Sequence, residues 1–181
     1  MPGSGKSALG RRLAQRLNWP FVDLDHVIED RVGCSIRELF EREGEPYFRD
    51  MEQRVVGEFT QSATRSVIAT GGGAVLRPEN RALLCAGPHV IYLCSSPEAL
   101  YRRLRHDVKR PLLQVADPLA RLRSLYDTRD PLYREVARSV VDTGQASVGA
   151  LTRSLHELLI DLGVVDAAPL SPADLPVASR G

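Results

Sequence analysis

Apolar residues recur along this chain in two patterns, one typical of short buried strands and the other of amphipathic helices. Short runs rich in β-branched and apolar residues predict strands at residues 21–25, 66–70, 89–94 and 139–143. Between these runs, apolar positions three and four residues apart predict helices. Such alternation predicts an α/β fold of three layers, with a central parallel sheet covered by helices on both faces.

Capping residues and glycines set the predicted helix boundaries. Ser35 and Ser96 have hydroxyls suited to an N-cap, and Pro78 suits a first helical turn. Gly33 and Gly87 are suited to ending helices. The predicted helices cover residues 7–17, 26–33, 35–44, 46–63, 78–87, 96–105, 118–130, 131–137 and 147–163.

Composition narrows the class of protein. The chain has 181 residues, of which 43% are hydrophobic, enough for one domain with a substantial core. Its net charge of +1 gives no reason to expect nucleic acid or membrane as a partner. Without a signal-peptide pattern or an apolar run of about 20 residues, we expect a cytoplasmic protein. We predict one domain over residues 1–163 and a disordered tail, rich in Pro, Ala and Ser, over residues 164–181.

Residues 1–7, MPGSGKS, match the last part of the phosphate-binding pattern G-x-x-x-x-G-K-[ST]. Gly3 and Gly5 allow positive φ, so that successive N–H groups can converge on an anion. Lys6 suits terminal phosphates, and the Ser7 hydroxyl suits phosphate-bound Mg²⁺. The helix that follows places this loop at the positive end of a helix dipole. A flexible glycine-rich segment beside an ordinary helix is the alternative.

Other polar residues and glycines follow two predicted strands. Asp23 and Asp25 close the run 21–25, and a triple glycine follows the run 66–70. Ligands of open α/β sheets bind at the carboxyl ends of the strands, so we expect these residues to meet the phosphate loop. The residues alone leave two other interpretations open: Asp25 as a helix cap, and the triple glycine as a tight turn.

Several sequence blocks, in this order and spacing, resemble the shikimate kinase family. They are GSGKS, FVDLD, GEPYFRDME, ATGGGAV, KRPLL and RDPLYREVA. The resemblance covers residues 1–163 and implies a P-loop kinase fold related to the nucleoside monophosphate kinases. It further implies transfer of the γ-phosphoryl group of ATP to the 3-hydroxyl of shikimate, in the pathway to chorismate and aromatic amino acids. Shikimate and ATP are therefore the expected partners, and Mg²⁺ the expected cofactor, of a monomeric enzyme.

The resemblance also assigns the phosphate end of the site. It implies catalytic roles for Lys6, Asp25 and Arg110, with Arg110 in a lid over residues 105–117 that closes on the phosphates. Its implied ATP-binding residues are Gly3, Ser4, Gly5, Lys6, Ser7, Ala8, Arg103, Arg110 and Gln145. Ser7 and, through water, Asp23 are the implied contacts of Mg²⁺.

The implied shikimate-binding residues are Asp25, Phe40, Phe48, Arg49, Gly71, Gly72, Gly73 and Arg129. The planar fork of an arginine can hold a carboxylate by two parallel hydrogen bonds, which suits Arg49 and Arg129. Glu52 lies three residues after Arg49, close enough on a helix to orient it. Surface ion pairs for the arginines, and plain core packing for the two phenylalanines, are the alternatives.

One part of the pattern is missing. The first glycine of the phosphate loop would precede Met1, and so would the central strand that normally leads into the loop. Burial of about four apolar side chains on that strand would contribute roughly 6 to 12 kcal/mol, similar to the net stability of a domain. We therefore expect Met1 to be an internal methionine of a longer natural chain, and this chain alone to fold poorly with little kinase activity.

Two other functions stay open at this point. Another small-molecule kinase, acting on gluconate or a nucleoside monophosphate, would use the same loop and lid without needing both Arg49 and Arg129. A catalytically silent nucleotide-binding protein is the second alternative. The fold alone does not require all of Lys6, Asp25, Arg49, Arg110 and Arg129. Their joint presence therefore argues against a catalytically silent protein.

Overall fold

The computed structural model describes residues 1–105, 115–144 and 146–166. Helices alternate with short parallel strands, which confirms the α/β class. The helices are α1 (Lys6–Leu17), α2 (Leu24–Val32), α3 (Ile36–Thr60), α4 (Pro78–Ala86), α5 (Pro97–Leu104), α6 (Pro118–Val136) and α7 (Val148–Asp161). The strands are β1 (Phe21–Asp23), β2 (Val67–Ala69), β3 (Ile91–Cys94) and β4 (Ser139–Asp142), and a short 3-10 helix covers Ala74–Leu76.

The strands form two separate parallel pairs. β1 pairs with β2, with Val22 opposite Ile68, and β3 pairs with β4, with Tyr92 opposite Val140. Within the described residues no strand joins the two pairs. The single predicted sheet is thus present as two halves, with a cavity between them.

The core consists of three apolar clusters that follow this division. One packs α2 against α3 and includes Ile28, Val55 and Val56, none of them accessible to solvent. A second packs α1 and α7 against β3, and a third joins Met1 and Tyr92 to α4, α5 and α6. Because burial of apolar area is the main stabilising term, these clusters fix the helices that carry the polar residues of the site.

The run predicted as the first strand is shorter in the structure. β1 ends at Asp23, and Asp25 lies in the first turn of α2. The Asp23 carboxylate accepts a hydrogen bond from the Asp25 N–H (3.3 Å) and so acts as the N-cap. The prediction that Asp25 closes the strand was therefore wrong, because this cap starts the helix earlier and buries Leu24.

Two predicted helix breaks have different outcomes. Gly44, with φ 82°, interrupts α3 at the boundary predicted between its two parts. Pro131 does not interrupt α6, which runs from Pro118 to Val136. A proline inside a helix costs about 3 kcal/mol, and burial of side chains on both sides of it, such as Leu125 and Tyr133, offsets that cost.

Parts of the predicted domain organisation lie outside the described residues. These are residues 106–114 of the predicted lid, Gln145, and residues 167–181 of the predicted tail. Val165 falls in the predicted disordered tail but is only 6% exposed and packs on the cluster around α7, so the prediction of disorder was wrong for this residue. Among the residues that the structure describes, no helix is long and apolar enough to cross a membrane.

Candidate active site

Two glycines shape the phosphate loop where it leads into α1. Gly3 and Gly5 have φ of 73° and 87°, in the left-handed region that other residues rarely adopt. Gly5 is the N-cap residue of α1, and Ala8 lies in its first turn. The N–H groups at the start of a helix and the helix dipole form an anion site of the kind that binds phosphate.

Ser7 and Asp23 lie in contact beside this loop. The Ser7 hydroxyl donates a hydrogen bond to the Asp23 carboxylate (2.7 Å), and the Lys6 ammonium donates one to the Met1 carbonyl (3.2 Å). Two hard oxygens next to a phosphate site fit Mg²⁺, which usually takes one or two protein ligands together with phosphates and water. In the described part of the chain no group of three or more His, Cys, Asp or Glu forms a metal cage.

Asp25 lies close to Glu52 against the first glycine of the triple glycine. A Cβ atom at Gly71 would come within 2.8 Å of both the Asp25 Oδ1 and the Glu52 Oε1 atoms. Burial, together with the negative charge of Asp23, raises the pKa of Asp25 above its ordinary value, and the Lys6 ammonium opposes this shift. Asp25 is thus a stronger base than an ordinary exposed aspartate.

Arg49 is held from two sides on α3. Its guanidinium donates to Glu52 (2.6 Å) and to Glu45 (2.8 Å), and it lies 5.1 Å from the Phe48 ring centre. Glu52 is 2% exposed, and within the described residues its Oε1 atom accepts no hydrogen bond. Burial raises the pKa of Glu52, and Arg49 opposes that shift. The guanidinium is therefore oriented by a buried acid, as the spacing of the two residues predicts.

The triple glycine lies between both arginines. The Gly72 carbonyl accepts hydrogen bonds from Arg129 (3.2 Å) and from the Tyr133 hydroxyl (2.5 Å), both on α6. At Gly73, an added Cβ would collide with the guanidinium of Arg49. Two guanidinium groups, from α3 and α6, therefore converge on the backbone that follows β2.

The two phenylalanines differ in their burial. Phe48 is 4% exposed and belongs to the α2–α3 core, while Phe40 is 36% exposed. Their ring centres lie 4.9 Å apart. Phe48 thus packs in the core and Phe40 keeps an accessible face, and contact of either ring with a substrate stays a prediction.

Arg103 connects α5 to the loop after β4. It donates to the Thr143 hydroxyl (3.3 Å), to the Thr143 carbonyl and to the Gly144 carbonyl (3.1 Å). Gln145, the next residue, and Arg110 lie outside the described residues. Ser4 lies buried behind the phosphate loop, 3% exposed.

Comparison with known proteins identifies the family. A family model described as shikimate kinase matches residues 2–159. The shikimate kinase of Paracidovorax citrulli is 50% identical over 174 residues, which cover 95% of this chain and 93% of that relative. The shikimate kinase of Burkholderia thailandensis is 50% identical over 168 residues, which cover 93% of this chain and 90% of that relative. The chain belongs to the shikimate kinase family.

Solved shikimate kinases share its fold. The enzyme from Acinetobacter baumannii, in complex with shikimate, is 40% identical, covers 90% of each chain and superposes with a TM-score of 0.81. The enzyme from Bacteroides thetaiotaomicron is 31% identical and superposes with a TM-score of 0.80, over 87% of this chain and 93% of that one. These matches confirm the resemblance and the P-loop kinase fold drawn from the sequence.

Sequence reasoning missed one contact in this member of the shikimate kinase family. Tyr133 appears in the sequence only as an aromatic neighbour of Arg129, yet its hydroxyl donates to Gly72. Its ring stacks on that of Tyr92 at 4.9 Å, and the Tyr92 hydroxyl donates to Asp130 (2.8 Å). The available signal is spacing, because residues four apart on a helix share a face.

Proposed function

We propose that this protein is a shikimate kinase, transferring the γ-phosphoryl group of ATP to the 3-hydroxyl of shikimate and giving shikimate 3-phosphate. The observation that carries the proposal is the convergence of Arg49, Arg129 and Asp25 on the triple glycine, in a chain of this family. Two guanidinium groups suit a carboxylate, and a nearby basic carboxylate suits a hydroxyl. The relative from Acinetobacter baumannii was solved with shikimate, which has both groups.

Asp25 acts on the acceptor hydroxyl. Its carboxylate orients the hydroxyl and accepts the proton as the oxygen bonds to the γ-phosphorus and ADP leaves. Burial and Asp23 raise its pKa, which makes it a stronger base. Because phosphoryl transfer depends mainly on positioning and charge stabilisation, alignment of the hydroxyl is the larger part of this role.

Arg49 and Arg129 hold the shikimate carboxylate. Glu52 and Glu45 fix the guanidinium of Arg49, and the Gly72 carbonyl fixes that of Arg129. Holding them before substrate arrives lowers the ordering entropy that binding would otherwise cost. Phe40 offers an apolar surface to the ring of the substrate.

The phosphate loop holds ATP. The N–H groups at the start of α1 and the ammonium of Lys6 bind the phosphates, and Arg110 closes on them from the proposed lid. Ser7 and Asp23 would hold Mg²⁺, which when bound neutralises charge on the phosphates. Arg103 and Gln145 contact the adenine. The proposed enzyme is a monomer, since every named group comes from one chain, and its proposed location is the cytoplasm.

A coupled assay of ADP release tests this function. Turnover is expected with shikimate and not with gluconate or nucleoside monophosphates, and Asp25→Asn should remove it. Exposed Asp30 on the same helix gives the matched control, Asp30→Asn, which should keep full activity. Turnover with gluconate alone would contradict the proposal. ATP binding without turnover on any acceptor would favour the silent alternative.

A further inference from the structure

The triple glycine continues into the 3-10 helix Ala74–Leu76, and we call residues 71–76 the glycine turn. Two main-chain hydrogen bonds form inside it, from the Ala74 N–H to the Gly71 carbonyl (3.2 Å) and from the Leu76 N–H to the Gly73 carbonyl (2.9 Å). The last carbonyl groups of a helix have no partner within it, so those at the end of the glycine turn need donors from elsewhere in the fold. The groups that supply those donors therefore hold the turn in place.

Two consecutive side chains near the start of α4 supply the donors. The Asn80 amide donates to the Ala74 carbonyl (2.9 Å). The Arg81 guanidinium donates to the carbonyls of Val75 (3.0 Å) and Leu76 (3.3 Å). Asn80 and Ala74 have no exposed surface, so loss of their hydrogen bond would be costly. Three consecutive carbonyls are thus held by two side chains that are neighbours in the sequence.

Arg81 also connects the glycine turn to α6. Its Nε atom donates to the Glu135 carboxylate (2.9 Å), while its Nη1 atom holds the two carbonyls. The Arg81 side chain is 18% exposed, so this ion pair is partly shielded from solvent. A surface ion pair alone contributes little, but a planar guanidinium that also binds two carbonyls is fixed in orientation. Arg81 therefore sets the position of the turn relative to α6.

The same helix contacts the glycine turn at a second point. The Gly72 carbonyl accepts hydrogen bonds from Arg129 (3.2 Å) and from the Tyr133 hydroxyl, both on the helix that carries Glu135. The turn is thus tied to α6 twice, at Gly72 and through Arg81. Without the second tie, the turn would be free to pivot about Gly72, and the hydrogen bond that orients the Arg129 guanidinium would weaken.

We propose that Arg81 is a positioning residue for shikimate binding, a role that rests on the proposed function. It holds the glycine turn against α6 and so keeps the Gly72 carbonyl where Arg129 is aimed at the shikimate carboxylate. Among the described residues, its side-chain hydrogen bonds go to the turn and to Glu135, and none of them goes to the phosphate loop. Arg81 therefore acts on shikimate binding and leaves ATP binding unchanged.

Steady-state kinetics of Arg81→Lys in the full chain tests this role. Lysine keeps the charge but has a single nitrogen atom, so it cannot reproduce the fixed fork that binds Glu135 and both carbonyls. The KM for shikimate should rise about tenfold, while kcat and the KM for ATP should change by less than about twofold. Glu135→Gln keeps an acceptor for the Nε atom and should raise the KM for shikimate less than Glu135→Ala, which removes it.

A matched control breaks a different tie of α6. Arg123 on this helix donates to Glu98 of α5 through two nitrogen atoms (3.0 and 2.9 Å). Arg123→Lys removes the same kind of fork without touching the glycine turn. It should leave the KM for shikimate and the KM for ATP within about twofold of the original values.

A double variant separates positioning from general loosening of the fold. If Arg81 acts through Arg129, adding Arg81→Lys to Arg129→Lys should raise the KM for shikimate little beyond the effect of Arg129→Lys alone. If the two residues act independently, the double variant should show the product of the two single effects.

Amide exchange tests the hold on the turn without any turnover. In Arg81→Lys, the amides of Ala74 and Leu76 should exchange about tenfold faster, while those of buried Val55 and Val56 on α3 should keep their rates. Failure of the original chain to turn over shikimate would contradict the proposed function and, with it, the role in binding. Unchanged exchange at Ala74 and Leu76 would contradict the hold itself.

Three kinetic results would overturn the inference in a chain that turns over shikimate. An unchanged KM for shikimate in Arg81→Lys would show that the tie to α6 has no part in binding. An equal rise in the KM for ATP would indicate a general structural role. A double variant with the full product of the single effects would show that Arg81 does not act through Arg129.

Discussion

The acceptor end and the phosphate end of the candidate active site are built in different ways. At the acceptor end, side chains hold the binding groups in place, since Glu52 accepts from Arg49 on α3 and Arg129 of α6 donates to the Gly72 carbonyl. At the phosphate end, the binding groups are mainly backbone N–H groups of a glycine loop, supported by the contact of Ser7 with Asp23. Under the proposed function, substrate choice therefore depends on a network of side chains, and phosphate binding depends on the position of one loop.

The difference separates two classes of mutational effect. A change in the acceptor network should alter the KM for shikimate or the chemical step while ATP binding stays the same. A change in the loop should alter ATP binding first. Variants that raised the KM for shikimate and the KM for ATP equally would show that the two ends are coupled and would contradict this division.

The largest effect is expected from Asp25→Asn. The amide keeps the shape of the side chain but cannot accept the proton, so kcat should fall by about 10² to 10⁴. The KM for ATP should change by less than about twofold, since Asp25 belongs to the acceptor end. Steady-state kinetics with shikimate varied at saturating ATP measures this, with Asp30→Asn as control. A kcat within a factor of about three of the original would rule out Asp25 as the base.

Loss of a guanidinium fork should have the next largest effect. Arg49→Lys and Arg129→Lys keep the charge but remove bidentate geometry, and each should raise the KM for shikimate by about 10 to 100 times. The exposed pair of Arg37 with Glu41 supplies the control Arg37→Lys, which should have no effect. An equal rise in the KM for ATP would contradict a role confined to the shikimate carboxylate.

Gly73→Ala should disturb the same network through the backbone. The new methyl group would displace the guanidinium of Arg49, so kcat/KM for shikimate should fall by about tenfold. Gly57→Ala is the control, because a Cβ there meets only ordinary contact with Leu83 at 3.7 Å. That variant should keep its activity and gain about 0.5 to 1 kcal/mol of stability in thermal unfolding.

The sequence was sufficient to predict much of this arrangement. The glycine loop and the alternation of strands and helices have strong local signals, and both are found. The start of α2 was misplaced because Asp23 and Asp25 are both good caps, and only tertiary structure decides which one acts. Pro131 was taken as a boundary because the burial that keeps α6 continuous is a long-range effect.

Other features have no local signal at all. The buried Oε1 atom of Glu52, and its position beside Asp25 across Gly71, depend on how α3 packs against the end of β2. Sequence patterns identify elements and candidate residues, whereas these contacts arise only when distant elements meet.

The raised pKa of Asp25 predicts opposite effects on activity and on stability. Because the folded state favours the protonated acid, the free energy of unfolding should rise as pH falls from the folded-state pKa of Asp25 towards 3.8, the ordinary pKa of an aspartate. Activity should fall over the same pH range, because the base becomes protonated. At neutral pH, Asp25→Asn should therefore be more stable than the original chain. Thermal unfolding at pH 7 and pH 4 checks this. A variant less stable at pH 7 would contradict the conclusion that the buried charge of Asp25 destabilises the fold.

The smallest effect is expected from Tyr133→Phe, which removes the hydroxyl that donates to Gly72 and leaves the ring stacked on Tyr92. Because Arg129 still donates to the same carbonyl, the loss corresponds to one neutral hydrogen bond of about 0.5 to 1.5 kcal/mol, or about a 2- to 12-fold rise in the KM for shikimate. Tyr47→Phe, at an exposed position, is the control. If the KM for ATP rose and that for shikimate did not, Tyr133 would belong to the phosphate end, and the boundary between the two ends would have to be redrawn.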